Sequence, residues 1–144
     1  MPKVFLSLIG PKWLSRICLL LPILLFFNQS YAQQVLWVVP KAEQMVKNPV
    51  KSNPGTLAAA RKIYMTNCAP CHGKDGKGDG PASAALKIKP ADHTSAAVQR
   101  QTDGSLYWMI STGHAPMPVY KKILTDQQRW ELVDYIRTLA KKRG

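Results

Sequence analysis

The sequence has few cysteines, few acidic side chains and no apolar run long enough to cross a membrane. Three of its 144 residues are cysteine, and no second cysteine pair accompanies Cys68 and Cys71. This shortage disfavours a structural zinc site, which usually draws on two ligand pairs. Eight Asp and Glu oppose twenty Lys and Arg, so the formal net charge is +12 at pH 7. A chain of this length builds one modest core, and we therefore expect a single small, basic domain.

The apolar run near the start of the chain, Ile17–Phe27, has eleven residues and is interrupted by Pro22. A membrane-spanning helix needs about 20 residues, so a membrane anchor is the weaker alternative. The run follows a basic segment, Met1–Arg16, and precedes the small-x-small triplet Ser30-Tyr31-Ala32. This order predicts a secretory signal peptide over residues 1–32 and leaves open whether it is cleaved or retained.

The charge of the exported chain remains strongly positive. Loss of residues 1–32 removes Lys3, Lys12 and Arg16 and lowers the formal net charge from +12 to +9. A basic exported protein suits an acidic docking partner or an anionic membrane face, although the lysines also serve simple solubility. Export and the absence of a recognisable nucleic-acid motif in the sequence disfavour a nucleic-acid partner.

The remaining cysteine pair is followed at once by histidine. Cys68-Ala69-Pro70-Cys71-His72 is a C-x-x-C-H motif, the attachment signature of haem c. Two thiols at this spacing can add to the two vinyl groups of one haem, and the following histidine supplies a nitrogen ligand to the iron. A thioredoxin-like redox pair needs a βαβ setting, and none is visible. The motif therefore predicts one covalent haem, with Cys68 and Cys71 as thioethers and His72 as an iron ligand.

The residues around the motif predict a helix before it and a turning loop after it. Asn53-Pro54-Gly55-Thr56 is a turn-and-cap cluster, and helical spacing continues from Leu57 to Cys68. The segment Gly73–Pro81 contains four glycines, which allow the backbone to turn tightly beside a haem plane. It is neither a phosphate loop nor an EF-hand, because no Gly-Lys-Ser/Thr and no closing glutamate follow. Pro81–Leu86 is predicted to form a short helix.

Met117 is the best candidate for a second iron ligand. It lies on a loop, where its sulfur can be aimed, between two prolines that restrict the backbone. His114 on the same loop is the rival ligand, and His93 is a weaker one. Met65 and Met109 lie at helical core spacing, and we interpret them as packing residues.

Two further helices are predicted in the second half of the chain. One is capped by Thr102 and ended by Gly113. The other begins with a capping box of Thr125 and Gln128 and carries an apolar stripe: Trp130, Val133, Ile136, Leu139 and Ala140. We expect this stripe to pack against the first helix, where the small side chain of Ala60 permits close approach.

Taken together, these features resemble those of class I mono-haem bacterial cytochromes c, over roughly residues 55–142. The resemblance implies an all-α fold of three to five short helices around one haem, with crossed N- and C-terminal helices. It also implies His72 and Met117 as axial ligands, with the Pro81 carbonyl orienting the His72 ring. Many members have glycine where Ala60 stands, so we expect a slightly wider helix crossing.

These predictions divide the chain into a signal peptide (residues 1–32), an N-terminal arm (33–54) and a cytochrome domain (55–144). The arm includes the apolar segment Val35–Val39, which we expect to lie extended along the domain. With both axial positions filled, the iron has no open site. That favours a one-electron carrier of a periplasmic electron-transfer chain over an enzyme.

Two alternatives to a free carrier stay open. One is a haem subunit fixed in a larger oxidoreductase, such as a membrane respiratory complex, which would make the protein membrane-associated. The other is a ligand-sensing haem protein with a displaceable sixth ligand. For a carrier we expect redox partner proteins with an acidic docking surface, attracted by four lysines near the haem: Lys74, Lys77, Lys121 and Lys122.

Overall fold

The structure, a computed structural model, describes residues 37–140. The predicted signal peptide and residues 33–36 of the arm lie outside the described residues, as do residues 141–144. Every regular element between residues 37 and 140 is helical, and the β-type pairing there is one isolated bridge between His114 and Met117. The prediction of an all-α fold is confirmed. None of the described helices combines the length and the apolar character needed to span a membrane.

The described part of the chain contains six α-helices. They are α1 (Lys41–Gln44), α2 (Pro54–Asn67), α3 (Ala69–His72), α4 (Ala96–Gln99), α5 (Asp103–Thr112) and α6 (Asp126–Thr138). Two 3-10 turns, Ser83–Ala85 and Tyr120–Lys122, lie in the connections. The short helix predicted over Pro81–Leu86 is therefore reduced to a turn and a single 3-10 turn.

The longer helices begin at the caps that the sequence predicts. The Asn53 side chain accepts the Gly55 and Thr56 N–H groups, and the Thr56 hydroxyl oxygen accepts the Asn53 N–H, so α2 has a complete capping box. Thr125 and Gln128 form the second capping box at α6. Such reciprocal hydrogen bonds satisfy backbone N–H groups that a helix start leaves without partners.

The core lies where α2 and α6 pack against each other. Ala60 and Tyr64 of α2 are completely buried, and the Tyr64 ring lies 5.0 Å from that of Tyr135 on α6. Val133 is also completely buried. The predicted packing of the last helix on the first at Ala60 is confirmed. It fixes the end of α2, from which the C-x-x-C-H motif continues.

The N-terminal arm lies against α5 and α6, and it includes the single-turn helix α1. Asn48 donates a hydrogen bond of 2.8 Å from Nδ2 to Asp134 Oδ1 on α6. Val50 packs, half-buried, on the core. The arm is therefore not extended throughout, because residues 41–44 form a helical turn.

We expect Asp134→Asn to become progressively stabilising, relative to the native chain, as the pH rises from about 4 to 7. Burial raises the pKa of Asp134, and the nearby Asp103 adds to the shift. The stability contribution of a carboxyl group with a raised pKa is present below its unfolded pKa and is lost as the pH rises through its folded pKa. Denaturant unfolding at several pH values measures the difference. A difference that stays constant with pH contradicts the prediction.

Candidate functional site

The two cysteines and the histidine of the motif lie on consecutive turns at the junction of α2 and α3. Cys68 caps α2, and its carbonyl oxygen accepts the N–H groups of Cys71 at 3.1 Å and His72 at 2.8 Å. Both thiols are free and half-buried. Burial, followed by the neighbouring Cys71, raises the pKa of the Cys68 thiol to about 12. This turn holds the backbones of the two cysteines and of the histidine together.

The His72 ring is oriented by a backbone carbonyl. Its Nδ1 lies 2.9 Å from the carbonyl oxygen of Ala91. Burial lowers the pKa of His72, so the ring is neutral at pH 7, and Nδ1 carries its proton toward the Ala91 oxygen. The sequence-based expectation that Pro81 supplies this carbonyl is wrong, because the loop from residue 81 to residue 91 brings Ala91 to the ring. Pro81 is exposed in the turn after the glycine-rich loop, and contact between Pro81 and a haem stays a prediction.

His93 lies flat against His72 and is held there by Tyr64. The two imidazole rings are 4.1 Å apart and within 17° of parallel. The Tyr64 hydroxyl lies 3.0 Å from His93 Nδ1 and 3.3 Å from the Gly73 carbonyl oxygen. Burial, with the adjacent His72, lowers the pKa of His93 to about 3. The imidazole of His72 is therefore fixed by a hydrogen bond at one edge and by a neutral ring on one face.

We expect Tyr64→Phe to lower the free energy of unfolding by about 1–3 kcal/mol, since it leaves buried polar groups of His93 and Gly73 without their hydroxyl partner. Denaturant unfolding of the two proteins at pH 7 measures this. Tyr135→Phe removes a hydroxyl from the neighbouring ring and is the matched control. An equal loss in both variants contradicts the assignment of the Tyr64 hydroxyl to this network.

The glycine-rich loop folds back across the motif. The Gly78 N–H donates to the His72 carbonyl oxygen at 2.8 Å, and the Gly80 N–H donates to that of Cys71 at 3.1 Å. Gly73, Gly76 and Gly78 have φ between 72° and 79°, the left-handed region that favours glycine. These positive-φ residues provide the tight turning predicted for the loop, and they allow it to stay in contact with α3.

Met117 lies on the tight loop that follows α5. Its N–H donates to the His114 carbonyl oxygen at 2.8 Å, and its half-buried side chain packs against the core. The His114 side chain is exposed, and its ring lies against Trp37 of the arm. Met65 and Met109 are half-buried in the core, in agreement with the packing role predicted for them.

These groups fit a covalently attached haem iron. The motif carries two free thiols and an imidazole whose Nδ1–H points at a carbonyl, which leaves the Nε2 lone pair for a metal. Histidine ligands of metals almost always donate their other N–H in this way. Within residues 37–140, no set of three or more His, Cys, Asp and Glu side chains is arranged to hold a metal ion. The donors that are present match haem iron, whose remaining ligands come from the porphyrin.

Three contributors to this site could not be assigned from the sequence. The Ala91 carbonyl is 19 residues from His72, and a backbone oxygen leaves no mark in residue types. The sequence offers His93 only as a weaker candidate ligand, and its position on the face of the His72 ring depends on the path of the loop. Trp37 lies outside the recognisable domain, and its aromatic character was its only signal.

A family model described as cytochrome c matches residues 57–140 of the chain. It begins inside α2, includes the C-x-x-C-H motif and the Met117 loop, and ends after α6. The N-terminal arm described above lies outside the match.

Proteins similar to the chain include two curated oxidase subunits and a solved structure. The subunit FixP of a cbb3-type cytochrome c oxidase from Rhizobium etli is 31% identical over 91 residues, and FixPc from Rhizobium leguminosarum bv. viciae is 29% identical over 89 residues. In each case the match covers 62% of this chain but only 30% of the relative. The reducing HAO-like protein complex Kustc0457/Kustc0458 of Kuenenia stuttgartiensis is 32% identical with a TM-score of 0.57, covering 65% of this chain and 47% of that one.

Proposed function

The chain belongs to the cytochrome c family and binds haem c, with its iron, covalently; from this premise we propose that it is an exported one-electron carrier with His72 and Met117 as axial ligands. The cytochrome c domain is an electron-transfer module. Bound haem supplies a centre that gains and loses one electron, while the chain determines how readily it does so.

The single observation that carries this proposal is the fixed His72 ring. The Ala91 carbonyl accepts its Nδ1–H at 2.9 Å, and His93 covers one face at 4.1 Å. A ring held in this way keeps Nε2 in one direction, so little of the chain has to move when the charge on the iron changes. Small rearrangement suits a carrier, because the structural change that accompanies each electron transfer stays small.

Met117 is preferred to both histidines as the second ligand. His93 is the poorer candidate, because its ring is stacked 4.1 Å from that of His72 and its Nδ1 lies 3.0 Å from the Tyr64 hydroxyl. The exposed His114 ring packs on Trp37. The Met117 side chain, in contrast, is half-buried and packs against the core. Thioether sulfur favours the ferrous state and raises the reduction potential.

The positions of four exposed lysines support a docking role for them. Lys74 and Lys77 lie in the glycine-rich loop beside His72, and Lys121 and Lys122 follow the Met117 loop; all four are exposed. Exposed charges of one sign near the site of transfer attract a partner of opposite charge and speed its encounter. The proposed partner is therefore a redox protein with an acidic surface.

We expect replacement of these four lysines by glutamine to slow electron transfer to such a partner by about tenfold at low ionic strength. The difference should vanish near 1 M salt, where charges are screened over about 3 Å. Stopped-flow oxidation of the reduced protein measures it. A matched control replaces four exposed lysines outside these loops: Lys41, Lys47, Lys51 and Lys62. Equal slowing in both quadruple variants contradicts a docking role for the loop lysines.

A fixed subunit of a larger oxidoreductase is the second candidate function. It is favoured by the relatives, which are oxidase subunits about three times the length matched here. Washing native membranes with salt distinguishes the two: a carrier is released, whereas a fixed subunit stays with its complex.

The experiment that tests the carrier proposal is a potentiometric titration of the purified protein with its absorption spectrum recorded at each step. We expect one reversible one-electron transition and, in the ferric form, the weak methionine-to-iron charge-transfer band. A ferric spectrum typical of an open or histidine-ligated sixth position contradicts the proposed ligand pair.

A further inference from the structure

Part of the N-terminal arm, Trp37–Val50, is in close contact with the domain at three places. A Cβ atom added at Gly104 of α5 would overlap the carbonyl oxygens of Glu43 and Val46, so the arm backbone lies directly on that helix. Asn48 is hydrogen-bonded to Asp134 and lies 3.4 Å from the Trp130 carbonyl oxygen on α6. The third contact is made by Trp37, at the other end of the arm.

The Trp37 ring packs against α5, the helix before the Met117 loop, and against the first residues of that loop. Its ring lies 6.3 Å from that of Trp108 on α5 and 5.6 Å from that of His114, with interplanar angles of 66° and 60°. Both are edge-to-face arrangements, in which the positive edge of one ring meets the negative face of another. One side chain of the arm therefore contacts both α5 and the loop that follows it.

Movement of His114 is transmitted directly to Met117. The His114 carbonyl accepts the Met117 N–H at 2.8 Å, and the two residues form an isolated β-bridge. Gly113, with φ of 61°, is so close to Pro118 that a Cβ atom would overlap its carbonyl oxygen. The loop is thus a tight reversal in which residues 113–118 are packed on one another. Displacing His114 shifts the backbone that carries the methionine.

We propose that the arm is a strap that holds the Met117 loop against the iron, with Trp37 as its positioning residue. This inference rests on the proposed function, because it takes Met117 as the axial ligand. The domain supplies that ligand from within the family match, whereas the strap lies before residue 57, where the match begins. The strap slows the opening of the loop and so keeps outside ligands from the iron.

The test is the rate at which imidazole binds the ferric, haem-loaded protein. At high imidazole concentration this rate reaches the rate at which the methionine leaves the iron. In Trp37→Ala we expect the limiting rate of imidazole binding to rise about tenfold. Aromatic contacts change an equilibrium by up to about this factor, and the lost contacts would make opening of the loop easier by the same amount. Trp37→Phe should restore part of the difference, and the charge-transfer band should persist in both variants.

Three further variants separate the strap from general destabilisation. Val38→Ala changes the next side chain, which is 80% exposed, and should leave the rate unchanged. His114→Ala removes the other ring and should also accelerate binding, while the double variant with Trp37→Ala should be no faster than Trp37→Ala alone. Gly104→Ala should accelerate binding too, because it lifts the arm from α5 without altering either ring.

The outcomes separate the two proposals. A Trp37→Ala rate within twofold of wild type, or an equal rise in Val38→Ala, overturns the strap while the ligand assignment stands. A wild-type ferric protein without the methionine band overturns the ligand assignment and the strap together. Acceleration in Trp37→Ala and His114→Ala, without additivity, supports the strap.

Discussion

Replacing Met117 by alanine should abolish the methionine-to-iron charge-transfer band and lower the reduction potential by on the order of 0.1 V or more, within the range of about 0.8 V that axial ligands control. The thioether favours ferrous iron, and its removal leaves water or another donor at the sixth position. The backbone of the loop should persist, because the His114 carbonyl takes its hydrogen bond from the residue 117 N–H, which alanine retains. The measurement is an absorption spectrum combined with a potentiometric titration.

The matched controls for this variant are the other methionines of the domain. Met65 and Met109 are half-buried and pack against the core, so Met65→Ala and Met109→Ala should lower stability but keep the band. His114→Ala should keep the band as well, since that ring is exposed. Loss of the band in His114→Ala, together with its persistence in Met117→Ala, contradicts the assignment of Met117.

Replacing Cys68 and Cys71 together by serine should remove all covalently bound haem. The chain belongs to the cytochrome c family, haem c attaches at a C-x-x-C-H motif, and Cys68 and Cys71 are free thiols within that motif. Extraction with acidified acetone, followed by haem staining of the denatured chain, measures covalent haem directly. We expect the stain to fall to background in the double variant, and a single variant should retain one thioether.

Cys18 offers a matched control for the cysteine experiment. It lies in the segment predicted to be a signal peptide, outside the described residues. Cys18→Ser should leave the haem content of the mature protein unchanged. Covalent haem that survives the Cys68 and Cys71 replacements would mean that attachment uses another side chain.

The parts of the site that could be predicted depend on residues that are close together in the sequence. Cys68, Cys71 and His72 are adjacent in one motif, and hydrogen bonding within a single helical turn brings them together. The caps at Asn53 and Thr125 also depend on residues three positions apart. The loop after α5 is also predicted by its prolines and by the helix-ending Gly113, while iron binding by Met117 stays a prediction. In each case the signal spans only a few residues.

The parts that were missed depend on how distant segments meet. Whether the carbonyl of Pro81 or of Ala91 reaches His72 depends on the whole path of the loop between them, which residue types do not specify. His93 finds its place through Tyr64, 29 residues before it. The helical turn of the arm at residues 41–44 and the contact of Trp37 with His114 likewise depend on packing against the domain.

The central claim is a closed iron between His72 and Met117, and adding carbon monoxide to the reduced protein tests it most directly. With both axial positions occupied by this chain, the ferrous absorption spectrum should stay unchanged for minutes after the gas is added. Rapid conversion to a carbon monoxide spectrum in the wild-type protein would show an open or easily displaced sixth site. That result would contradict the carrier and favour a ligand-sensing haem protein.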